Sequence, residues 1–250
     1  MDITAAAGGG NHTIKQYQPD GRYNITDINI YRSNTGTDGA SFLFVATLDI
    51  SSGTTVTVTD NIADSGLGDA CEAIDYDVPP ADMEGIGRLP NGMLYGVSAD
   101  EKQICFSVPD VPHAWPDNAD YRRTLHYTPR ACGAVGTTVV VATDGKPSVY
   151  SGVDPEFITG SALDAEQAIL NAPSLAETPW GVAWASPDGL YMVGPGGGNL
   201  ITRNFFSKDE WLALNPASMI LGVYDARIYV AYDEFNSGSY QVFVIDPNEP

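Results

Sequence analysis

The chain has 250 residues, with 32 acidic and 12 basic side chains and a formal net charge of -20. Only 18% of the residues are charged, below the roughly 25% of an ordinary soluble domain, so the acidity reflects scarce Lys and Arg. This balance argues against neutralising nucleic-acid phosphates, and 43% hydrophobic content argues against wholesale disorder.

No apolar run of about 18 residues is present, so no helical membrane span is expected. Met1 to Gly10 lacks a basic segment followed by an apolar one and reads as no secretory signal. Cys71, Cys105 and Cys132 are odd in number and widely spaced, which fits neither a disulfide framework nor a zinc site. They read as reduced, buried small hydrophobes, in keeping with folding in a reducing cytosol. With 26 glycines and 17 prolines, many short strands and turns are expected.

From Tyr23 to Asp60 the pattern is strand-like. Ile28, Ile30 and Tyr31 precede a turn at 33–39, and Phe42, Phe44, Ala46 and Leu48 then fall on one face. Val56 and Val58 share a face of a β-branched run after Ser52-Gly53. These residues predict a meander of short antiparallel strands over 1–62. Residues 63–82, with Gly66, Gly68, Pro79 and Pro80, read as an interdomain linker.

Beyond Met83, apolar runs flank turns at Asn91-Gly92, Gly136-Thr137, Asp144-Gly145, Asp188-Gly189 and Asp225-Ala226. Asn-Gly and Asp-Gly favour the type I′ hairpin, whose two central residues need positive φ. Hairpins around 87–96, 184–194 and 221–230 resemble one another, and one around 135–142 fits more loosely. Their turns lie about 45, 52 and 37 residues apart. Short strands repeating every 40–50 residues are the pattern of propeller blades, so 83–250 is expected to be propeller-like. Two short helices are predicted at the rim. Asp164-Ala165-Glu166-Gln167 has capping-box spacing, and Ser207-Lys208-Asp209-Glu210 is a better box, with Asn215-Pro216 as its stop.

The candidate chemistry is sparse. Gly194-Pro195-Gly196-Gly197-Gly198-Asn199 lacks the Lys-Ser or Lys-Thr and the helix that a phosphate loop needs, and reads as a glycine hairpin. His113 near Asp117 could serve acid/base work, but flanking prolines suggest a rigid turn with Trp115 filling a gap between blades. His12 and His126 stand alone, and no nucleophile elbow or zinc-hydrolase motif is present. Asp60, Asp64, Asp69, Glu72, Asp75 and Asp77, and then Asp233-Glu234-Phe235-Asn236, lack the ligand spacing of a calcium loop and read as solvated carboxylates. Asn11-His12-Thr13 and Asn24-Ile25-Thr26 match the glycosylation pattern, which carries no meaning without a secretory signal. Arg122, Arg123 and Arg130, with His126 and Lys146, are the one basic concentration. With Tyr121 and Tyr127 interleaved they resemble a nucleic-acid patch, but in so acidic a chain they suit an acidic protein neighbour better, such as another copy. Catalytic residues, metal and cofactor are expected to be none, and the chain is read as not an enzyme.

Residues 28–33 and 42–46 resemble the later strands of a fibronectin-III-like module found in bacteriophage and prophage virion proteins. The resemblance continues through Leu89-Pro90-Asn91-Gly92-Met93, Ile104-Cys105-Phe106-Ser107 and Pro112-His113-Ala114-Trp115-Pro116. It includes Thr143-Asp144-Gly145-Lys146-Pro147, Gly152-Val153-Asp154-Pro155, Ala185-Ser186-Pro187-Asp188-Gly189-Leu190, Phe206-Ser207-Lys208-Asp209-Glu210-Trp211 and Leu214-Asn215-Pro216-Ala217-Ser218. The ordered series, from Ile28 to about Asp233, is more specific than any one motif. Family members are tailed-phage structural proteins, similar in kind to podovirus tail nozzle proteins. They usually have more sequence at both ends, and here the first strands of the module are thin or missing.

The resemblance implies an all-β chain: a fibronectin-III-like meander (1–62), a linker (63–82) and a partial or small β-propeller with two short helices (83–250). It implies a structural subunit of a phage tail (nozzle, hub or adaptor ring), located in the virion and synthesised in the host bacterial cytoplasm. The expected partners are copies of itself in a ring, neighbouring tail proteins and passing DNA that is not bound specifically. Arg122, Arg123, Arg130, His113 and Trp115 are the expected protein-interface residues, and carboxylates would line the lumen. The competing reading is a peripheral receptor- or glycan-binding propeller, which needs displayed tryptophans among Trp115, Trp180, Trp184 and Trp211. A propeller hydrolase is a weaker third, and an acidic composition suited to saline surroundings would need no special use for the charge.

Overall fold

In the computed structural model the described residues are 2–3, 10–15, 27–33, 42–49, 55–71, 73 and 76–247. They form an all-β chain of small antiparallel sheets, divided into two compact units, Met1–Ile74 and Asp75–Pro250.

In the first unit, β1 (Asp2–Ile3), β2 (Gly10–Lys15) and β5 (Thr55–Asp60) form one sheet in the order β1-β2-β5. β3 (Asp27–Ser33) and β4 (Phe42–Asp49) form a separate hairpin with Tyr31 edge-on to Phe44. The simple meander expected here is therefore split. β5 leaves β4 and pairs with β2, a strand that the polar run Gly10–Lys15 gives little hydrophobic signal for. Arg32 on β3 joins the two layers. Its guanidinium lies 2.9 Å from the buried carboxylate of Asp60 and donates to the Ile62 carbonyl.

The linker expected over 63–82 does not exist as one segment. Residues 68–71 run along β4, with Gly68 N–H donating to Phe44 C=O, Phe44 N–H to Asp69 C=O and Cys71 N–H to Phe42 C=O. Residues 76–80 belong to the second unit, where the Asp77 carbonyl accepts from Trp115 N–H and Val78 C=O from Arg122. Their Gly and Pro content reflects irregular backbone with fixed partners. Glu72 and Asp75 lie outside the described residues.

The second unit is a row of four up-and-down sheets, each a blade. Blade 1 is β6 (Glu84–Arg88), β7 (Leu94–Ser98), β8 (Gln103–Phe106) and β9 (Arg122–Thr124). Blade 2 is β10 (Pro129–Val135), β11 (Thr138–Thr143), β12 (Ser148–Ser151) and β13 (Thr159–Ala162). Blade 3 is β14 (Ala176–Thr178), β15 (Gly181–Ser186), β16 (Gly189–Gly194) and β17 (Gly197–Leu200). Blade 4 has three strands among the described residues, β18 (Ile220–Tyr224), β19 (Arg227–Tyr232) and β20 (Gln241–Ile245). The first strands carry the row: β10 lies against β6 and β14, and β14 against β18, which is a propeller-like arrangement.

Period-two alternation packs the row. Val139 and Val141 of β11 join Tyr95, Val97, Ile104 and Phe106 between blades 1 and 2. Val140 and Ala142, pointing the other way, join Val182, Trp184, Tyr191 and Val193 between blades 2 and 3. Ala183, Ala185 and Leu190 face Leu221, Ile228 and Val230 between blades 3 and 4, with Trp211 and Met219 in the same core. The inner strands are therefore buried on both faces, which explains unbroken apolar runs such as Val139-Val140-Val141-Ala142. Gly160 sits directly opposite Tyr150, whose ring lies where a Cβ would project.

α1 (Lys208–Ala213) forms as predicted, with Ser207 and Glu210 completing a capping box. The helix expected after Asp164 does not form. Gln167, needed to close its capping box, instead donates to Asp188 and accepts from Ser186. The backbone of this stretch bonds outward, with Ile169 N–H to Thr143 C=O and Leu170 N–H to Ala185 C=O. Tertiary partners thus outcompete a weak local signal.

The tryptophans all lie in the second unit, so their fluorescence follows its unfolding. Trp184 is fully buried and donates its indole N–H to the Gln167 carbonyl at 3.0 Å. We expect Trp184→Ala to cost about 3–5 kcal/mol, read as a fall in the urea midpoint at unchanged slope. A loss below about 1 kcal/mol would mean that this core is not rigid.

Candidate functional site

Each blade is closed at one end by hydrogen bonds between the segment ahead of its first strand and the turn between its second and third strands. In blade 1, Asp82 accepts from Ser98 Oγ and from Asp100 N–H. In blade 2, Asp144 Oδ1 accepts from Thr128 N–H, and in blade 3 Gln167 holds Ser186 and Asp188. In blade 4, Ser218 Oγ accepts from Asp233 N–H, and Asn215 donates to the Asp233 carbonyl. The clamped turns carry Asp100, Asp144, Asp188 and Asp233, spaced 44, 44 and 45 residues apart. Asn91-Gly92, Gly136-Thr137 and Asp225-Ala226 join first to second strands, whereas Asp188-Gly189 joins second to third. The uneven spacing read from the sequence came from mixing these two turn types.

The clamps of blades 1 and 2 border a cleft of about 630 Å³, closed on another side by residues 169–172 ahead of blade 3. Asp82, Glu84, Asp100 and Asp144 line it, opposed by Arg130, whose guanidinium is 3.9 Å from Asp144. Asp82 is held below the ordinary carboxylate range by the Asp100 backbone N–H above all, helped by the Ser98 hydroxyl and opposed by burial. Asp188 is lowered by Lys208 and Gln167, and Asp233 by the N–H groups of Ser237 and Gly238. These carboxylates are acceptors committed to turns. Among the described residues no group of three or more His, Cys, Asp or Glu could hold a metal ion.

Across the row, the buried Tyr95 hydroxyl donates to Glu177 Oε1 at 2.7 Å, the atom that also accepts from Ala134 N–H. Residues of blades 1, 2 and 3 thus meet at one carboxylate. Burial first, then that carboxylate, pushes the Tyr95 hydroxyl well above its ordinary range. Burial likewise raises Cys105 to about 11 and Cys132 to about 12, so both stay as unreactive thiols.

The expected interface residues do not form one patch. Trp115 is buried and donates its indole N–H to Pro112 C=O. Arg122 is about nine-tenths buried, beside Asp117 at 3.3 Å and Glu101 at 3.6 Å, and donates to the carbonyls of Val78 and Trp115. Arg123 donates to Pro155 C=O near Asp120. Arg130 faces the cleft, and His113 is exposed against the Tyr76 ring. Adjacent residues of a strand point to opposite faces, so Arg122 and Arg123 could not share a patch. In an acidic chain each of these three guanidiniums lies beside a carboxylate or carbonyl of its own.

The sequence missed the far side of blade 4. Ile220, Tyr224, Val242 and Val244 are exposed there, Tyr224 to 75% and Val242 to 61%. The pairing register arranges this face as rows: Ile220, Ala231 and Val242; Gly222, Tyr229 and Val244; then Tyr224 and Arg227. Arg227 and Asp246 pair at 3.5 Å. A hollow of about 580 Å³ adjoins the face at its corner, bounded by Phe205, Phe206, Tyr229, Phe243 and Val244. On the far side of blade 1, by contrast, Gly96, Ser98 and Cys105 are buried. Met83 lies over Gly96, and Arg122 binds the backbone of Val78 and Trp115. An alternation of apolar residues in β19 and β20 was legible, but which neighbour covered each face was not.

Trp184, Trp211 and Trp115 are buried, and Trp180 is half-buried in the turn between β14 and β15. Three of the four residues that a glycan-stacking surface would have needed are thus unavailable.

No protein-family model matches the chain, and no curated protein matches it. Among solved structures it is similar to a streptogramin B lyase, with 12% identity and a TM-score of 0.40, over 94% of this chain and 87% of that one. It is also similar to a protein described as exported, from Bacteroides fragilis NCTC 9343, with 9% identity and a TM-score of 0.38, over 98% of this chain and 78% of that one. Neither likeness bears on activity or partners.

The lowered carboxylates fix a pH dependence. Folded-state values below the ordinary 3.8 mean that Asp82, Asp188 and Asp233 add stability above that value, lost as pH falls through their folded values. We expect the urea midpoint to hold through the neutral range and to drop below about pH 4. Asp82→Asn should lower it at neutral pH and shrink the acid drop, whereas an unchanged acid drop would mean that the clamp is not formed in solution.

Proposed function

We propose that this chain is a structural subunit of a bacteriophage tail, a nozzle, hub or adaptor component that works by assembly and not as an enzyme. The observation that carries the reading is the uncovered apolar face of blade 4, in a row where every other inter-blade face is packed. Exposed apolar sheet faces of this kind mark contact surfaces. The ordered resemblance to phage tail structural proteins supplies the setting, with the virion as location and neighbouring tail proteins as partners.

The charge fits this role. Four carboxylates against one guanidinium at the blade-end cleft offer DNA no counterion-releasing contacts, so a wall of this sign lets a genome slide without sticking.

Two measurements test the reading. Light-scattering mass, with and without co-expressed neighbouring tail proteins, is expected to show assembly. A monomer in both conditions would overturn the proposal. Duplex DNA at low salt is expected to pass the protein unretarded in a gel, and retardation would sink the channel role.

A further inference from the structure

Resting on the assembly reading, we infer that the blade-end cleft is a docking site for a basic, extended segment of a neighbouring tail protein. The cleft holds about 630 Å³, within the size range of ligand pockets. Its walls are set before anything binds. Ile169 N–H donates to the Thr143 carbonyl, Leu170 N–H to the Ala185 carbonyl and the Asn171 amide to the Met219 carbonyl. One wall is thereby tied to blades 2 and 3 and to the residue ahead of blade 4. Val97, Pro129, Ile169 and Leu170 supply an apolar lining.

The charges name the occupant. The carboxylates of the cleft are of two kinds. Both oxygens of Asp82 accept from the Ser98 hydroxyl or the Asp100 N–H, and Asp144 accepts from Thr128 N–H with its other oxygen 3.9 Å from Arg130. Glu84 and Asp100 are exposed, and among the described residues their carboxylates take no hydrogen bond or ion pair. Arg130, itself half-exposed, shows what this lining accepts: a guanidinium on an aliphatic stem, resting beside a carboxylate. Among the described residues the acidic groups do not converge as metal ligands, so Glu84 and Asp100 suit separate cations along a segment. Lysine or arginine heads meet these two carboxylates, and their methylene stems lie along Pro129 and Leu170. The sign that turns duplex DNA away draws such a segment toward a chain of net charge -20. Attraction of this kind weakens as salt rises.

Fluorescence anisotropy of the full chain with a short, dye-labelled peptide of alternating Lys and Leu tests this. The expected result is saturable one-to-one binding that weakens with salt and exceeds that of a Lys-Ser peptide of equal charge. Glu84→Gln with Asp100→Asn should weaken it at least about tenfold and leave the thermal melt in place, since neither carboxylate bonds within the fold. Glu156→Gln with Asp225→Asn removes the same charge at exposed positions outside the cleft lining and should leave binding unchanged. Equal losses in the two double variants would mean diffuse attraction to an acidic chain and would overturn the docking site. So would no preference for leucine over serine, or spermidine binding as tightly as the peptide. On co-expression, the Glu84 and Asp100 double variant should lose its tail neighbours. If it keeps them, the docking site falls and the assembly reading stands. A wild-type chain that joins no tail protein would end both.

Discussion

The inner blades of the second unit are thin sheets with two apolar faces, and each face must be taken out of water by something. That constraint organises the unit. At about 25 cal/mol per Å² of buried apolar surface, two-sided burial makes each blade depend on its neighbours more than on itself. Val139 and Val140 are adjacent in sequence yet lie in different cores, so β11 couples blade 1 to blade 3 through a single strand. The Tyr95–Glu177–Ala134 contact adds a polar fastening at the same junction.

Polar chemistry serves the same end. The repeated clamps spend carboxylates, amides and hydroxyls on closing turns, leaving blade ends that are acidic and fixed. The same demand distributes the arginines: Arg32 ties the two layers of the first unit, and Arg122 and Arg123 hold loops around blade 1. A basic cluster in the sequence becomes three separate fastenings, because partners in the fold are chosen by face and distance and not by adjacency in the chain. At blade 4 the constraint is left unmet, and the proposed function grows from that surface.

Much of this was legible in the residues. Alternating apolar runs, Asn-Gly and Asp-Gly turns and a repeat near 45 residues indicate blades, and Ser207 to Glu210 indicates its helix. The Asp series at 100, 144, 188 and 233 marks the repeat more regularly than the hairpin turns do. Local patterns failed where tertiary partners competed. Gln167 was drawn from a helix cap into blade 3, and β5 was drawn from β4 to β2.

The sequence by itself determined the all-β class, the blade repeat, the turn positions and the acidity, because each follows from short-range sterics, side-chain period or simple counting. Tertiary structure alone decided which faces are covered, which arginines remain at the surface and where the apolar opening lies. Burial is a property of what packs against a residue, and that neighbour is not set by its place along the chain.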